Sequence, residues 1–357
     1  VSLVPDDSIS MELGYEMSIP IFTAEGDVLF IGSRTSGLHA FKSSNGELLW
    51  RTAVDGGVVS QAAVASDLVL VGTGAGELSA FARSTGHLRW SVPLKGMVSS
   101  TPVLFGNEVI VRDGTNTLYA FDQQTGEWRW QYSRDVPARY SAAGVAPLFV
   151  ASGLLYAGLS DGTLLCLDAT KKGRLVWELS LGSKEPGFQD IDANLVFYRQ
   201  YLVAASISTG LAFIDTRRGK VMSRIAKPLI VAQVPIDDHL VLANGDGEIY
   251  RLNPNGGELV WKTQFAKDLG APQTLIANDG LVYVTFPLGG LTAIDANDGL
   301  PIFGLDPGHG VTGVAFDART QRIALLTNRG TLFVLSPSSK RAMPENSWFK
   351  PLTTSAL

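Results

Sequence analysis

One phrase returns along this chain at nearly even spacing, and it limits the folds open to the sequence. LYAFDQQTGEWRW (118–130) ends at Trp130, and close copies are HAFKSSNGELLW ending at Trp50, SAFARSTGHLRW at Trp90, CLDATKKGRLVW at Trp177 and YRLNPNGGELVW at Trp261. Weaker copies are FIDTRRGKVM (213–222) and AIDANDGLPIF (293–303). Each reads as a β-hairpin: an apolar strand, a turn built on Asp and Gly, and a second strand. Asp can bond its own backbone and Gly accepts positive φ, which is what such a turn requires. Aligned on the apolar residue that opens the first of these strands, the copies start at Leu38, Leu78, Leu118, Leu164, Leu211, Ile249, Leu291 and Leu332, with gaps of 40, 40, 46, 47, 38, 42 and 41. Units of about forty residues, each parsing into four short strands, predict an all-β fold: an eight-bladed β-propeller of four-stranded antiparallel blades.

The blades are expected near 17–52, 58–92, 97–132, 140–180, 190–225, 229–264, 270–304 and 310–340, forming one domain over 1–340. The last unit shows three good strands (VTGVAFD, RIALLTN, TLFVLS), whereas ISMEL precedes a complete first unit. Residues 8–13 are therefore predicted to supply the outer strand of blade eight, closing the ring and removing a free edge. Residues 341–357 read as a Pro/Ser-rich tail. Trp50, Trp90, Trp130, Trp177 and Trp261 fall on outer strands. There a large aromatic can wedge between neighbouring blades, provided its indole N–H finds an acceptor. Units five and seven carry Ser223 and Phe303 at this place, so their junctions should pack differently. The longer units four and five place their extra residues near 133–146 and 183–193, in loops on a face of the ring.

Composition narrows the function classes. A net charge of −5, without a block of Lys or Arg, argues against nucleic acid as a partner. The single cysteine, Cys166 in GTLLCLD, has no intramolecular disulfide partner and reads as a small core residue. YSAAGVAPLFVASGLLYAGLS (140–160) is uncharged over a helix-spanning length, but the period places two strands in it, so it is not read as a membrane span. The chain opens VSLVPDDS, without a basic n-region or apolar h-region, which leaves a cytoplasmic protein or an export signal outside this sequence.

Catalytic motifs are weak. GLSDG (158–162) matches a nucleophile-elbow spacing, but it sits at a strand-to-strand hairpin rather than a strand-to-helix turn. GTGAGE (72–77) lacks the spacing and the helix of a dinucleotide-binding turn. His39, His87, His239 and His309 are scattered, which gives no zinc pattern. The turn acids Asp122, Asp168, Asp215 and Asp295 read as backbone caps. No enzyme, cofactor or metal site is expected. Arg217 and Arg218, in the turn of unit five, read as a solvated turn or as a protein-contact patch, since Arg beside apolar groups is common at hot spots.

The repeated phrase [AL]-x-D-x-x-[TS]-G-x-x-x-W resembles the tryptophan-docking propellers of the quinoprotein type. One branch, the quinoprotein alcohol dehydrogenases, holds pyrroloquinoline quinone and calcium in the central channel, beside a disulfide of adjacent cysteines that one cysteine cannot form. The other is the BamB family of the outer-membrane β-barrel assembly machinery, which has no such cofactor. The run DIDANLVFYRQYLVAASISTGLAFIDTRRGKVM (190–222) is similar to that second pattern. The resemblance implies a non-enzymatic scaffold at the periplasmic face of the outer membrane. It would be monomeric, held by a lipid anchor, docked on the POTRA domains of BamA, and near unfolded outer-membrane protein substrates. Carried over by position, Ile214 matches an apolar contact, Asp215 the turn acid and Arg217 the contact arginine. Thr216 stands where the family has leucine. Asp246 and Asp268 fall near a second contact region. The first-strand segments AAVA, STPVLF, AQVPI and APQTLI are apolar or small, which equips the channel poorly for a quinone or another small ligand. That ligand-binding alternative, and a scaffold of another envelope complex, are the competing readings.

Overall fold

The computed structural model describes residues 2–10, 18–134, 147–182, 191, 193–206, 209–227 and 229–338. The stretches 135–146 and 183–190, most of the insertions expected near 133–146 and 183–193, and the segment beyond 338 lie outside them. Strand β1 (Ser2–Ser10) stands apart in sequence. The remaining strands come in groups: β2–β5 within 21–52, β6–β9 within 63–93, β10–β13 within 103–132, β14–β17 within 149–180, β18–β21 within 196–225, β22–β25 within 230–264, β26–β29 within 274–305 and β30–β32 within 311–338. Each group is one antiparallel sheet, and the last is completed by β1, in the order β1-β32-β31-β30. This is the eight-bladed propeller, with ring closure by an N-terminal strand. The clasp lies a few residues earlier than 8–13: Ser2 pairs with Ser338 and Ser10 with Thr331, and the register shifts between Asp6 and Ile9.

The core lies between blades. Among the described residues the buried side chains form eight apolar clusters, one at each junction. The cluster joining the ends of the ring packs Phe22, Leu29, Ile31 and Phe41 of blade one against Ala324, Leu326, Leu332 and Val334 of blade eight. Middle strands are buried on both faces, as in β24 (Glu248–Asn253) with its run IYRL, because each blade is covered on both sides by its neighbours.

The tryptophans act as docking pins. The Trp50 indole donates to the Arg83 carbonyl (2.9 Å), Trp90 to Gln123 (3.1 Å), Trp177 to Thr216 (2.8 Å) and Trp261 to Ala296 (2.9 Å), each acceptor lying in the turn of the next blade. Each ring lies flat on the glycine of that turn. A Cβ on Gly86 would sit 2.4 Å from Trp50, and one on Gly219 would sit 2.4 Å from Trp177. Positive φ and ring contact together require glycine here. Trp130 also covers the next turn's glycine, Gly173, but its indole donates to Glu108 (2.9 Å) of its own blade. The turn it meets is one residue longer and winds into a 3-10 segment, Ala169–Lys171. Where unit five has Ser223, Ile225 covers Gly257 at 3.5 Å. Where unit seven has Phe303, the ring packs edge-on against Tyr283 at 6.2 Å.

Seven blades share a feature the repeat did not announce. The residue just before the docking position is a bulge: Leu49, Arg89, Arg129, Val176, Met222, Val260 and Ile302 are skipped in the pairing of the outer strand. A bulge bends and twists an edge strand, which protects its free backbone from pairing with another chain.

Candidate functional site

Antiparallel blades sort their connections onto two faces. The turns from first to second and from third to fourth strand emerge on one face. The turns from second to third strand, and the links to the next blade, emerge on the other. The docking turns all lie on the first face. There, between blades four and five, a cavity of about 660 Å³ opens beside the turn that joins β20 (Gly210–Asp215) to β21 (Lys220–Ile225).

Its wall is aromatic. Tyr156, Phe197, Tyr201 and Met222 line it, with Thr216 and Arg217 on the rim. Phe197 lies 5.6 Å from Phe149 and stands edge-on to Tyr156 at 6.2 Å, and Tyr156 lies 6.0 Å from Trp177. Burial pushes the Tyr156 phenol up to about 12, so it stays neutral. Behind it the fully buried Cys166 thiol is also pushed up to about 12 by burial, which leaves an inert core residue.

The turn itself is held by Asp215. Its carboxylate accepts the backbone N–H of Arg217 (2.9 Å) and Arg218 (3.3 Å) and lies 3.8 Å from the Arg218 guanidinium. Asp122 does the same in blade three, accepting from Gln124 and Thr125, and its pKa is held low by Arg129, 2.7 Å away. Asp295 likewise accepts the Asn297 N–H (2.7 Å), so Asp122, Asp215 and Asp295 are caps as read from the sequence, whereas Asp168 makes no side-chain cap bond to the 3-10 segment and accepts the Thr170 hydroxyl instead. Arg217 is exposed, and no side-chain partner is present for it among the described residues. The neighbouring turn of blade four adds the exposed Lys171, Lys172 and Arg174, while Asp168 is partly sheltered and paired with Lys171 (3.5 Å). Arg199 lies 5.3 Å over the Tyr198 ring and 3.2 Å from Asp238. A chain with net negative charge thus presents a basic sector on this face.

The structure does not gather all the residues singled out above. Ile214 is 0% exposed, inside the core between blades four and five, so its side chain supports the turn from beneath and offers no contact surface. Asp246 follows the second strand of blade six, with its N–H on Asn244 (3.1 Å), and Asp268 sits in the 3-10 segment Lys267–Leu269 that leads to blade seven. Both positions belong to the opposite face, away from Arg217. What the sequence did not reveal is the aromatic wall. Tyr156, Phe197 and Tyr201 come from two blades, and only their recurrence at hairpin ends could have signalled a shared cavity.

Elsewhere the weak motifs resolve into structure. Ser160 of GLSDG is buried in a hairpin turn and bonds Asn116 (3.0 Å). His39 is buried, and burial followed by the nearby Arg51 charge lowers its pKa to about 4. Among the described residues no group of three or more His, Cys, Asp or Glu is placed to hold a metal, and no helix is long and apolar enough to cross a membrane.

A family model described as outer membrane protein assembly factor BamB matches residues 10–69, 55–233 and 229–343. Among solved structures the chain is similar to BamB from Moraxella catarrhalis, at 21% identity and a TM-score of 0.78, over 96% of this chain and 100% of that one. The computationally designed Ika8 protein matches at 16% identity and TM-score 0.75, over 93% and 99%. The quinohemoprotein alcohol dehydrogenase of Comamonas testosteroni matches at 14% and 0.77, over 96% of this chain and 78% of the enzyme. At such identities these structures establish the shared propeller alone. A comparison with curated proteins finds no match. The family model carries the assignment: this chain belongs to the BamB family of outer membrane protein assembly factors.

Proposed function

We propose that this protein is a non-enzymatic docking component of outer-membrane β-barrel assembly, working at the periplasmic face of the outer membrane. It would bind the POTRA domains of BamA through the face that carries the blade-five turn. The observation that carries this reading is Arg217: an exposed guanidinium, without an intramolecular partner among the described residues, on the rim of an aromatic-walled cavity. Aromatic and Arg anchors around a pocket are the usual hot-spot chemistry. The surrounding basic sector favours a partner that brings a carboxylate to Arg217 and an apolar side chain to the cavity. The rigid ring supplies orientation, and a standard interface of about 800 Å² per partner would suffice. Asp246 and Asp268, on the far face, would serve a separate contact.

A second reading is a small ligand in the central channel, since the propeller fold shared with quinohemoprotein dehydrogenases does not fix the function. One experiment separates the two: titration of purified BamA POTRA domains with wild-type protein and with Arg217→Ala. Saturable binding that weakens about thirty-fold in the variant, the equivalent of about 2 kcal/mol, supports docking through this turn. Equal binding moves the site. No binding at micromolar concentrations turns attention to the channel.

A further inference from the structure

The bulge in the outer strand of blade five aims a sulfur at the aromatic cavity. In β21 Val221 pairs with Ile214 and Ser223 with Phe213, which leaves Met222 outside the ladder. A bulge re-aims the side chain it carries, and bulges gather beside functional sites for that reason. Val221 packs into the junction core, whereas Met222 is 48% exposed and lines the cavity with Tyr156, Phe197 and Tyr201. At the corresponding bulges the other blades carry Leu49, Arg89, Arg129, Val176, Val260 and Ile302, none of which holds sulfur.

A thioether is an apolar side chain that one reaction makes polar. Its sulfur lone pair attacks an oxygen of hydrogen peroxide, and the S–O bond forms as the O–O bond breaks. The departing hydroxide takes the proton of the transferred hydroxyl and leaves as water. Sulfur gives up two electrons and the peroxide gains them. Other sulfurs among the described residues are poorer targets. Cys166 is buried, and its thiol, pushed up to about 12 by burial, supplies almost no thiolate. Met97 is half-buried.

We propose that Met222 is a modification site for peroxide and that its sulfoxide closes the cavity to the partner, an inference that rests on the docking role proposed above. In the reduced state the flexible thioether adapts to an apolar side chain entering against Phe197 and Tyr201. In the oxidised state the same wall carries a strong acceptor. An apolar guest would bury the sulfoxide oxygen without a donor, which is costly. Arg217 lines the same cavity, so the new oxygen also offers its guanidinium an acceptor within the chain, in competition with the partner's carboxylate.

The test treats the full chain, as wild type and as Met222→Leu, with hydrogen peroxide, and removes the oxidant with catalase before any partner is added. The variant keeps the chain's other methionines. Peptide mass spectrometry should find Met222 oxidised about five-fold faster than Met97, in line with its exposure. The ring resonances of Phe197 and Tyr201 should shift on oxidation of the wild type and hold still in the variant. Affinity for the BamA POTRA domains should fall about ten-fold in the oxidised wild type and return after treatment with methionine sulfoxide reductases. The affinity of Met222→Leu, whatever its starting value, should not change with peroxide. Oxidation of Met222 no faster than that of Met97, unmoved rings, an oxidised wild type that binds as tightly as before, or an equal loss in the variant would each overturn the proposal. If the untreated wild type does not bind the domains at all, the docking role fails, and the oxidation rates and ring shifts decide the modification site by themselves.

Discussion

The indole of Trp177 donates to the backbone carbonyl of Thr216 across the junction of blades four and five, at 2.8 Å. Thr216 immediately precedes Arg217, so the bond that packs two blades also fixes the height at which Arg217 meets solvent. Under the proposed function, one peptide unit would couple blade packing to docking. Replacing Trp177 with Phe keeps most of the apolar contact and leaves the Thr216 carbonyl without its donor, a loss of about 1–3 kcal/mol. The variant should unfold at lower urea and, if the proposed docking turn is right, also bind the POTRA domains more weakly. A drop in stability with unchanged affinity would show that the turn's position does not matter for docking.

Two glycines separate backbone strain from ring contact. Gly219 and Gly106 both have positive φ, 61° and 57°, but a Cβ on Gly219 would strike Trp177 whereas nothing lies within 4 Å of one on Gly106. Gly106→Ala should cost about 1 kcal/mol from conformation alone. Gly219→Ala should cost about 3 kcal/mol, since the indole must also shift. Parallel urea titrations would measure the difference, and equal losses would mean that the indole gives way freely.

Arg217→Ala should leave stability within about 0.5 kcal/mol, because the side chain is exposed and makes no internal bond. Its effect should appear in binding and shrink with added salt. Asp246→Asn, on the opposite face, should leave affinity for the same domain unchanged. Equal effects from the two variants would show that the partner reaches both faces.

His39 makes the ring sensitive to acid. Burial lowers its pKa to about 4, and the ring, 3% exposed, stacks on Phe41 at 6.1 Å. Between that value and the ordinary histidine value of about 6.5, the unfolded chain binds a proton that the folded chain refuses. The stabilisation is therefore complete above pH of about 6.5 and declines down to about 4, by a total of about 3 kcal/mol. In His39→Gln the midpoint of urea unfolding should change less across this range. An unchanged slope would assign the acid sensitivity to other groups.

The blades were readable in advance because their signals are local and repeated. A strand, a capped turn and a wedge recur inside forty residues, so each copy corroborates the next. The docking role of Trp50, Trp90, Trp177 and Trp261 followed from the indole's need for an acceptor, though not the identity of that acceptor in the neighbouring turn. Trp130 departs from the rule because the turn it meets has one residue more, a difference that sequence spacing shows but does not interpret. The resemblance put Asp246 near a second contact region, one unit on from Arg217. In an antiparallel blade, however, the parity of the strand decides the face, and the two residues emerge on opposite sides. Ile214 lies on a third strand that neighbouring blades cover on both faces, so its side chain is buried in a junction whichever way it points. The aromatic cavity was invisible because Tyr156 and Phe197 meet only after two blades have been set side by side.

The clasp between β1 and β32 also has a meaning in time. Pro5 pairs with Leu335, so the first of the propeller's described strands to be made waits for the last of them before it finds its partner. Seven blades can assemble in order by local pairing while the eighth stays open, and the step that seals the circle brings together contacts of the greatest separation along the chain, the kind that folds slowest. Until then β1 hangs unpaired from one end of a nearly finished ring, and the outer edge of β32 stays open at the other. The interval between synthesis and sealing is when this protein is most exposed to the misassociation that its finished, bulge-guarded perimeter resists.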